Sequence, residues 1–392
     1  MKIPSIKPLL LASVFISAAQ FGFGLETGGL LSNDTKFANQ KKDGDLELTQ
    51  KNALYFWIRH PLSENGLSYF VAEGEFRSQY DAYKTDSQKK LTLAADATLF
   101  KFIFKKELSN SDITLSLGRF YNSDLSSLVY SQNGDGAKLD LEFSKARLSL
   151  FGAYTGLLNA KNITIIGQSP NFTDKEKTLY VLAKKYGVGS VTLAFPNFLL
   201  RQTLALEGLG AFSLESEKLN RFYATASLSG PIVAPVFYSV SSTFSFSKYE
   251  EEEMKKGNLT KGSISVYPNL KSMSISLNGL YASGKQGSFE AFQGFTSKTA
   301  VNSLYEPEYT ALVLVGPSMS IKALPNLLLK AGGDIVFDAE KDIEHKGYQL
   351  TASLNYQAAS DVSLGASFDQ YIGKENSDND KMQIKLKAAL AF

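Results

Sequence analysis

The chain has 392 residues, 44% of them hydrophobic, and its 41 basic and 39 acidic side chains leave a formal charge of +2. That balance excludes a bulk electrostatic attraction to nucleic acid. Cysteine is absent and only two histidines occur, so there is no disulfide framework and little material for a transition-metal site, and no cofactor is implied.

Lys2 and Lys7 flank the start of the chain, an apolar run covers 9–16, and Ser17-Ala18-Ala19 supplies small residues. This is the pattern of a secretory signal peptide, residues 1–19, cleaved before Gln20. The run is too short to span a bilayer as a helix, and no later stretch approaches the roughly 20 apolar residues a spanning helix needs. An exported chain that enters a membrane must then cross it with strands. No linker or composition shift divides residues 20–392, which read as a single domain.

Strand candidates begin at once. Phe21, Phe23 and Leu25 alternate with Gln20 and Glu26, leaving no room for an N-terminal plug domain, and a polar connection is expected at 33–43. In the second strand, 44–59, Gln50 and Asn52 interrupt the row of Leu46, Leu48, Leu54, Phe56 and Ile58. The third is clearer: Phe70, Ala72, Phe76 and Tyr80 alternate with Glu73, Glu75, Arg77, Gln79 and Asp81. Successive strand side chains point to opposite faces, so a charged row backs an apolar one. The fourth strand changes phase between Leu99 and Phe100, which one extra residue in a bulge explains.

A short turn at 107–111 leads to the fifth strand, 112–121, and a longer connection at 122–135. A hairpin follows (136–144 and 146–156), then a long polar connection at 157–175 and an eighth strand at 177–195. The second half is more regular. Phe222, Ala224 and Ala226 oppose Arg221, Tyr223 and Thr225, and Tyr238, Val240 and Phe244 oppose a hydroxyl row of Ser239, Ser241, Thr243 and Ser245. The longest connection is 285–306, and the strand after it, 307–323, contains Pro317, which a ladder tolerates only at an edge or a bulge. Four regular strands complete the chain.

Short and longer connections alternate along the chain. Aromatic side chains gather near strand ends, with Trp57 and Tyr356 beside short turns and Tyr80, Tyr154, Phe246 and Tyr281 near longer loops. Both patterns fit an all-β fold, a transmembrane antiparallel up-and-down β-barrel of about 18 strands, with 16 possible. Closure is then expected between the first and last strands, with Glu26 near Lys385 or Lys387.

The last strand sets Met382, Ile384, Leu386, Ala388, Leu390 and Phe392 against Lys381, Gln383, Lys385 and Lys387. Ending on Phe392, it resembles outer-membrane β-barrel proteins of Gram-negative bacteria, whose last strand closes on an aromatic residue read by the barrel insertion machinery. Lys387 stands where that family usually carries a glycine. The resemblance implies an outer-membrane location and makes Phe392 the membrane-insertion signal.

The polar rows carry both signs, which suits water rather than packed side chains, and barrels of 16–18 strands enclose an aqueous channel. The pore-lining candidates are Glu73, Glu75, Arg77, Asp81, Arg119, Asp124, Asp135, Lys330, Asp334, Lys385 and Lys387. His60 stands before Pro61 in a turn and His345 follows Glu344, and neither comes with a nucleophile and an orienting partner, so no enzyme is expected. The reading is a porin-like channel for passive diffusion of small hydrophilic solutes. The alternatives are a surface-displayed adhesin or an outer-membrane transporter of a hydrophobic substrate, the latter disfavoured by the polar interior. Similarity to general porins further implies a homotrimer and a third long loop, here 122–135, folded into the pore. Leu125, Leu128, Val129 and Tyr130 are too apolar to wave in water. They pack either inside the barrel, with Asp124, Asp135 and Arg119 lining the opening, or on neighbouring loops outside it.

Overall fold

Period-two alternation gives each strand one face for lipid and one for water, and such strands escape open edges only by closing on themselves. The computed structural model describes residues 24–40, 45–83, 89–166, 178–216, 218–250, 253–269, 272–285, 290–296, 304, 310–374 and 380–392. Its strands are β1 Glu26–Gln40, β2 Asp45–Pro61, β3 Tyr69–Tyr83, β4 Lys89–Leu108, β5 Ser111–Ser123 and β6 Ser131–Phe143. Next come β7 Arg147–Tyr154, β8 Tyr186–Phe195, β9 Thr203–Ser213, β10 Leu219–Val233, β11 Val236–Tyr249 and β12 Lys255–Asn269. The last six are β13 Met273–Ala282, β14 Leu312–Leu324, β15 Leu327–Asp338, β16 Glu344–Gln357, β17 Val362–Gly373 and β18 Lys381–Ala391. Each pairs antiparallel with its chain neighbours, and β1 pairs with β18 from Leu30↔Ala391 to Gln40↔Lys381. The barrel is closed and has 18 strands rather than 16.

The outward row is apolar and exposed, as at Phe76, Phe100, Val191, Leu206, Phe244 and Leu386. A continuous apolar belt of this kind around a closed barrel is the surface that lipid covers. The amides that interrupt it satisfy each other, since Asn33 Nδ2 donates to Asn52 Oδ1 at 2.6 Å. At one end β4 and β5, β6 and β7, and β14 and β15 are joined by turns of a few residues; the opposite end carries the long connections 155–185 and 283–311.

The bulge in β4 lies where the phase changes: Glu73 pairs with Leu99 and Gly74 with Ala97, leaving Thr98 as the extra residue. Pro317 keeps a partner in β13, Leu277, while the β14–β15 ladder skips from Val315↔Ile335 to Ser318↔Gly332.

Several expectations are corrected. The connection placed at 33–43 is strand as far as Gln40, because polar residues on both faces of β1 hide its alternation. The connection placed at 122–135 shrinks to 124–130, since Asn122, Phe120 and Arg119 pair with Gln132, Gly134 and Asp135. The eighth strand begins at Tyr186 rather than 177, because 178–183 runs outside the ladder. Glu26 lies beyond the end of the β18 pairing and bonds Arg59 at 2.9 Å, while Lys385 and Lys387 face Lys36 and Asp34. Trp57 shares the inward row of Tyr55 and stacks over Gly28, where any Cβ would come within 2.5 Å of its ring, so it is not part of a lipid-facing girdle. The signal peptide 1–19, its cleavage site at Gln20, and Phe21 and Phe23 lie outside the described residues.

Candidate functional site

Apolar loop side chains need an apolar partner, and here they find it in the lumen. Phe295 and Thr296 both donate their backbone N–H groups to Val129 O at 2.9 Å, and Ile166 N–H donates to Phe295 O at 2.8 Å. Segments from three connections, after β5, β7 and β13, thus meet. Their side chains form one cluster, with Tyr130 against Phe151 and Phe295, and Phe295 against Tyr186. The strands answer with inward apolar residues at the same level, among them Val188, Leu209, Tyr223, Leu259 and Leu312, all buried.

One cation clamps this cluster. Arg221, 1% exposed on the inward row of β10, donates to Gly294 O at 3.0 Å and Ile166 O at 2.6 Å. Beside it Tyr223 OH donates to Gln293 O at 3.0 Å. Charge-assisted bonds of this type are worth about 1.5–3 kcal/mol each, enough to hold two loops against the wall.

The loop 124–130 is shaped from within by Asp124, whose carboxylate accepts from the backbones of Ser126, Val129 and Tyr130 at 2.8–3.0 Å. Its tip is held from outside the loop. Leu125 N–H donates to Glu207 Oε2 at 2.6 Å, and Lys261 Nζ donates to Ser126 O. Glu207 is on β9 and Lys261 on β12, three and six strands beyond β6 around the wall. The loop therefore reaches across the lumen.

The wall of β17, β18, β1, β2 and β3 is different. Tyr55 OH donates to Glu75 at 3.0 Å, Arg77 lies 3.9 Å from Glu75, Thr49 donates to Asp81 at 2.8 Å, and Lys36 pairs with Glu47 at 2.8 Å. Lys385 and Lys387 stand on the same inward face, beside Gln383, which donates to Asp369 at 3.1 Å. Toward the short-turn end this face opens into a concavity of about 570 Å³, lined in part by Asp34, Lys322, Asn355 and Lys387.

The remaining candidates separate. Glu73 accepts from Thr98 Oγ1 at 2.6 Å at the bulge. Lys330 and Asp334 are on β15 opposite Ser353 and Gln349. Arg119 and Asp135 bond each other at 2.7 Å within the wall, where β5 parts from β4. Sequence reasoning missed Arg221, Glu207 and Lys261 as loop anchors. Their signal was a charge within a stretch whose inward row is otherwise apolar or hydroxyl-bearing.

No protein-family model and no curated protein matches the sequence. Solved structures match the fold. The chain is similar to Pseudomonas aeruginosa OpdQ, with a TM-score of 0.61 and 10% identity over 94% of this chain and 98% of that one. It is similar to Pseudomonas aeruginosa OccK2 (OpdF), solved in complex with glucuronate, with a TM-score of 0.60 and 12% identity over 94% and 98%. Acinetobacter baumannii OccAB1 gives a TM-score of 0.59 and 12% identity over 96% and 98%. At these identities the likeness is one of fold.

Proposed function

We propose that the chain is an outer-membrane channel of the porin type, through which small hydrophilic solutes diffuse passively without catalysis. The observation that carries this reading is the charged inner wall of a closed 18-strand barrel with an apolar outside. Asp34, Lys36, Lys385 and Lys387 share one inward face, and a row of both signs inside a barrel of this strand number suits an aqueous channel. A neighbour of the same fold solved with glucuronate, a small carboxylated sugar, supports solutes of that size and polarity.

In this reading Glu73, Glu75, Arg77, Asp81, Lys330, Asp334, Lys385 and Lys387 line the aqueous path. Asp124 shapes the constricting loop, and Arg119 and Asp135 hold the wall. Residues 1–19 are removed on export and 20–392 form the barrel. Phe392 is the insertion signal. Its backbone exchanges bonds with Gly29 at 2.8 and 3.0 Å, which a change of side chain leaves in place. Its ring is half exposed, so little barrel stability rests on the side chain. Phe392→Ser therefore lowers the yield of inserted barrel much more than the melting temperature of the fraction that inserts; equal effects would make the residue structural only. The polar outward residues Asn33, Thr35, Gln50 and Asn52 suit contact with a second copy, as in a homotrimer.

Single-channel recording in a planar bilayer tests the function. Open ohmic steps that admit small sugars and organic anions are expected. A folded barrel that stays silent would sink the channel reading and favour an adhesin.

A further inference from the structure

The wall is not uniform between β4 and β5. Their ladder covers only Phe100–Leu108 against Ser111–Arg119, although β4 continues back to Lys89 in pairing with β3. Gly118 is where β5 turns away: its φ is +116°, and a Cβ there would lie 2.0 Å from Phe100 O. Above it the two strands diverge and leave a wedge.

An open edge in lipid strands its backbone groups at several kcal/mol each, so each one needs another partner. The β4 edge finds them in side chains and loop. Leu93 O accepts from Lys161 Nζ at 2.9 Å, Ala95 O from Asn159 Nδ2 at 3.1 Å, Ala97 O from Arg119 Nη1 at 3.0 Å and Thr98 O from Asn133 Nδ2 at 2.8 Å. Ala95 N–H donates to Leu179 O at 3.1 Å. Residues 157–162 and 178–183 form a two-stranded strap across the wedge, joined by Ala160 N–H to Val181 O at 2.7 Å and Ala183 N–H to Leu158 O at 3.0 Å.

Arg119 pins the strap. It stands opposite the exposed Phe100, on the outward row, yet its guanidinium reaches the inward Asp96 at 3.1 Å and Leu157 O at 2.8 Å, so it threads the wedge. The two sides of the strap differ. Leu157, Leu179 and Leu182 are exposed, whereas Asn162 donates to Glu75 at 3.1 Å and Asp96 at 2.7 Å, and Arg77 donates to Lys161 O at 2.9 Å. Two buried atoms on this polar side, Arg77 Nε and Asn162 Oδ1, have no hydrogen-bond partner among the described residues.

We propose that the strap is displaceable and covers a lateral portal, through which amphiphiles pass between lumen and membrane. The chemistry at the two sides matches the two ends of such a molecule. A polar head meets the spare donor of Arg77 and the spare acceptor of Asn162, while an apolar tail replaces the strap leucines against the lipid belt. On displacement the bonds that Asn159, Lys161 and Leu179 make to the β4 edge are exchanged for bonds to the head group and water, while Arg119 and Asn133 keep theirs. The portal is distinct from passive diffusion along the barrel axis, and the two readings fail separately.

The natural absence of cysteine gives a clean test. Ala95→Cys with Leu179→Cys joins strap to wall as a disulfide that reductant reopens. The protein is placed in vesicles containing a lysophosphatidylcholine with a photoreactive head group, illuminated, and mapped by mass spectrometry. In the reduced protein, label is expected on luminal residues around Arg77 and Asn162, and in Arg119→Met the same label increases. In the oxidised protein the luminal label is lost, while axial ion conductance is unchanged. Luminal labelling that is equal in locked and reduced protein overturns the proposal. So does its absence from both the reduced protein and Arg119→Met.

Discussion

Two sectors of one barrel use the same strand periodicity to opposite ends. From β17 through β18 and β1 to β3, the inward row is charged and pairs with itself, as in Lys36–Glu47 and Arg77–Glu75. From β8 to β15, the inward row at the long-loop end turns apolar, with Tyr186, Leu209, Leu312 and Val336 buried beneath loops. Lower on that second sector it is hydroxyl-bearing, as where Thr225 meets Thr243 at 2.9 Å and Ser265 meets Ser276 at 2.8 Å. The difference teaches that the lumen is divided: one side is wall for water, and the other is foundation for folded loops. In the proposed function, constriction falls to the second sector and most of the charge preference to the first.

The sharpest way to break this division is to remove the loop that crosses it. Replacing 125–130 by a short Gly-Ser link deletes Leu128, Val129 and Tyr130 from the cluster and should raise single-channel conductance severalfold with the barrel intact. Unchanged conductance in a folded variant would assign the narrowest point to the 283–296 segment instead.

Next in size is the clamp. Arg221→Met keeps the volume but loses two carbonyl partners, about 1.5–3 kcal/mol for each charged hydrogen bond. The segments ending at Ile166 and Gly294 should become readily cut by added protease and the open current noisier. A variant as resistant as the parent would show that the aromatic packing alone holds the loops.

The charged sector is tested without touching the loops. Lys385→Glu together with Lys387→Glu should shift the reversal potential in a salt gradient toward cations, changing the permeability ratio roughly twofold to fivefold, the effect of up to about 1 kcal/mol of Coulomb energy in water. Conductance should stay close to that of the parent. No shift would remove this wall from the ion path.

The smallest effect belongs to the rim of the same sector. Glu26→Gln breaks the exposed bridge to Arg59, and such pairs contribute about 1 kcal/mol or less. The melting temperature and selectivity should hardly move, whereas a large drop in melting temperature would mean that barrel closure leans on that pair.

The sequence by itself determined the class of fold. Where one face is lipid and the other water, as in β3 and β16, each side chain announces its side. A barrel of 18 or 16 strands, closure of first on last and the β4 bulge follow from that rule, while the choice of 18 came from the tertiary structure. The apolar content of 122–135 likewise showed that the loop packs on something. What the alternation does not encode is which surface an apolar residue meets once loops fold inward. Val188 and Leu209 point into the barrel but read no differently from residues facing lipid, and Trp57 was legible as a girdle residue although it lies over Gly28. Polar residues on both faces of β1 concealed its second half, and the partners of Arg119, Arg221 and Glu207 are remote in sequence. Those features depend on contacts between segments separated by tens of residues, which only closure of the barrel brings within hydrogen-bond reach.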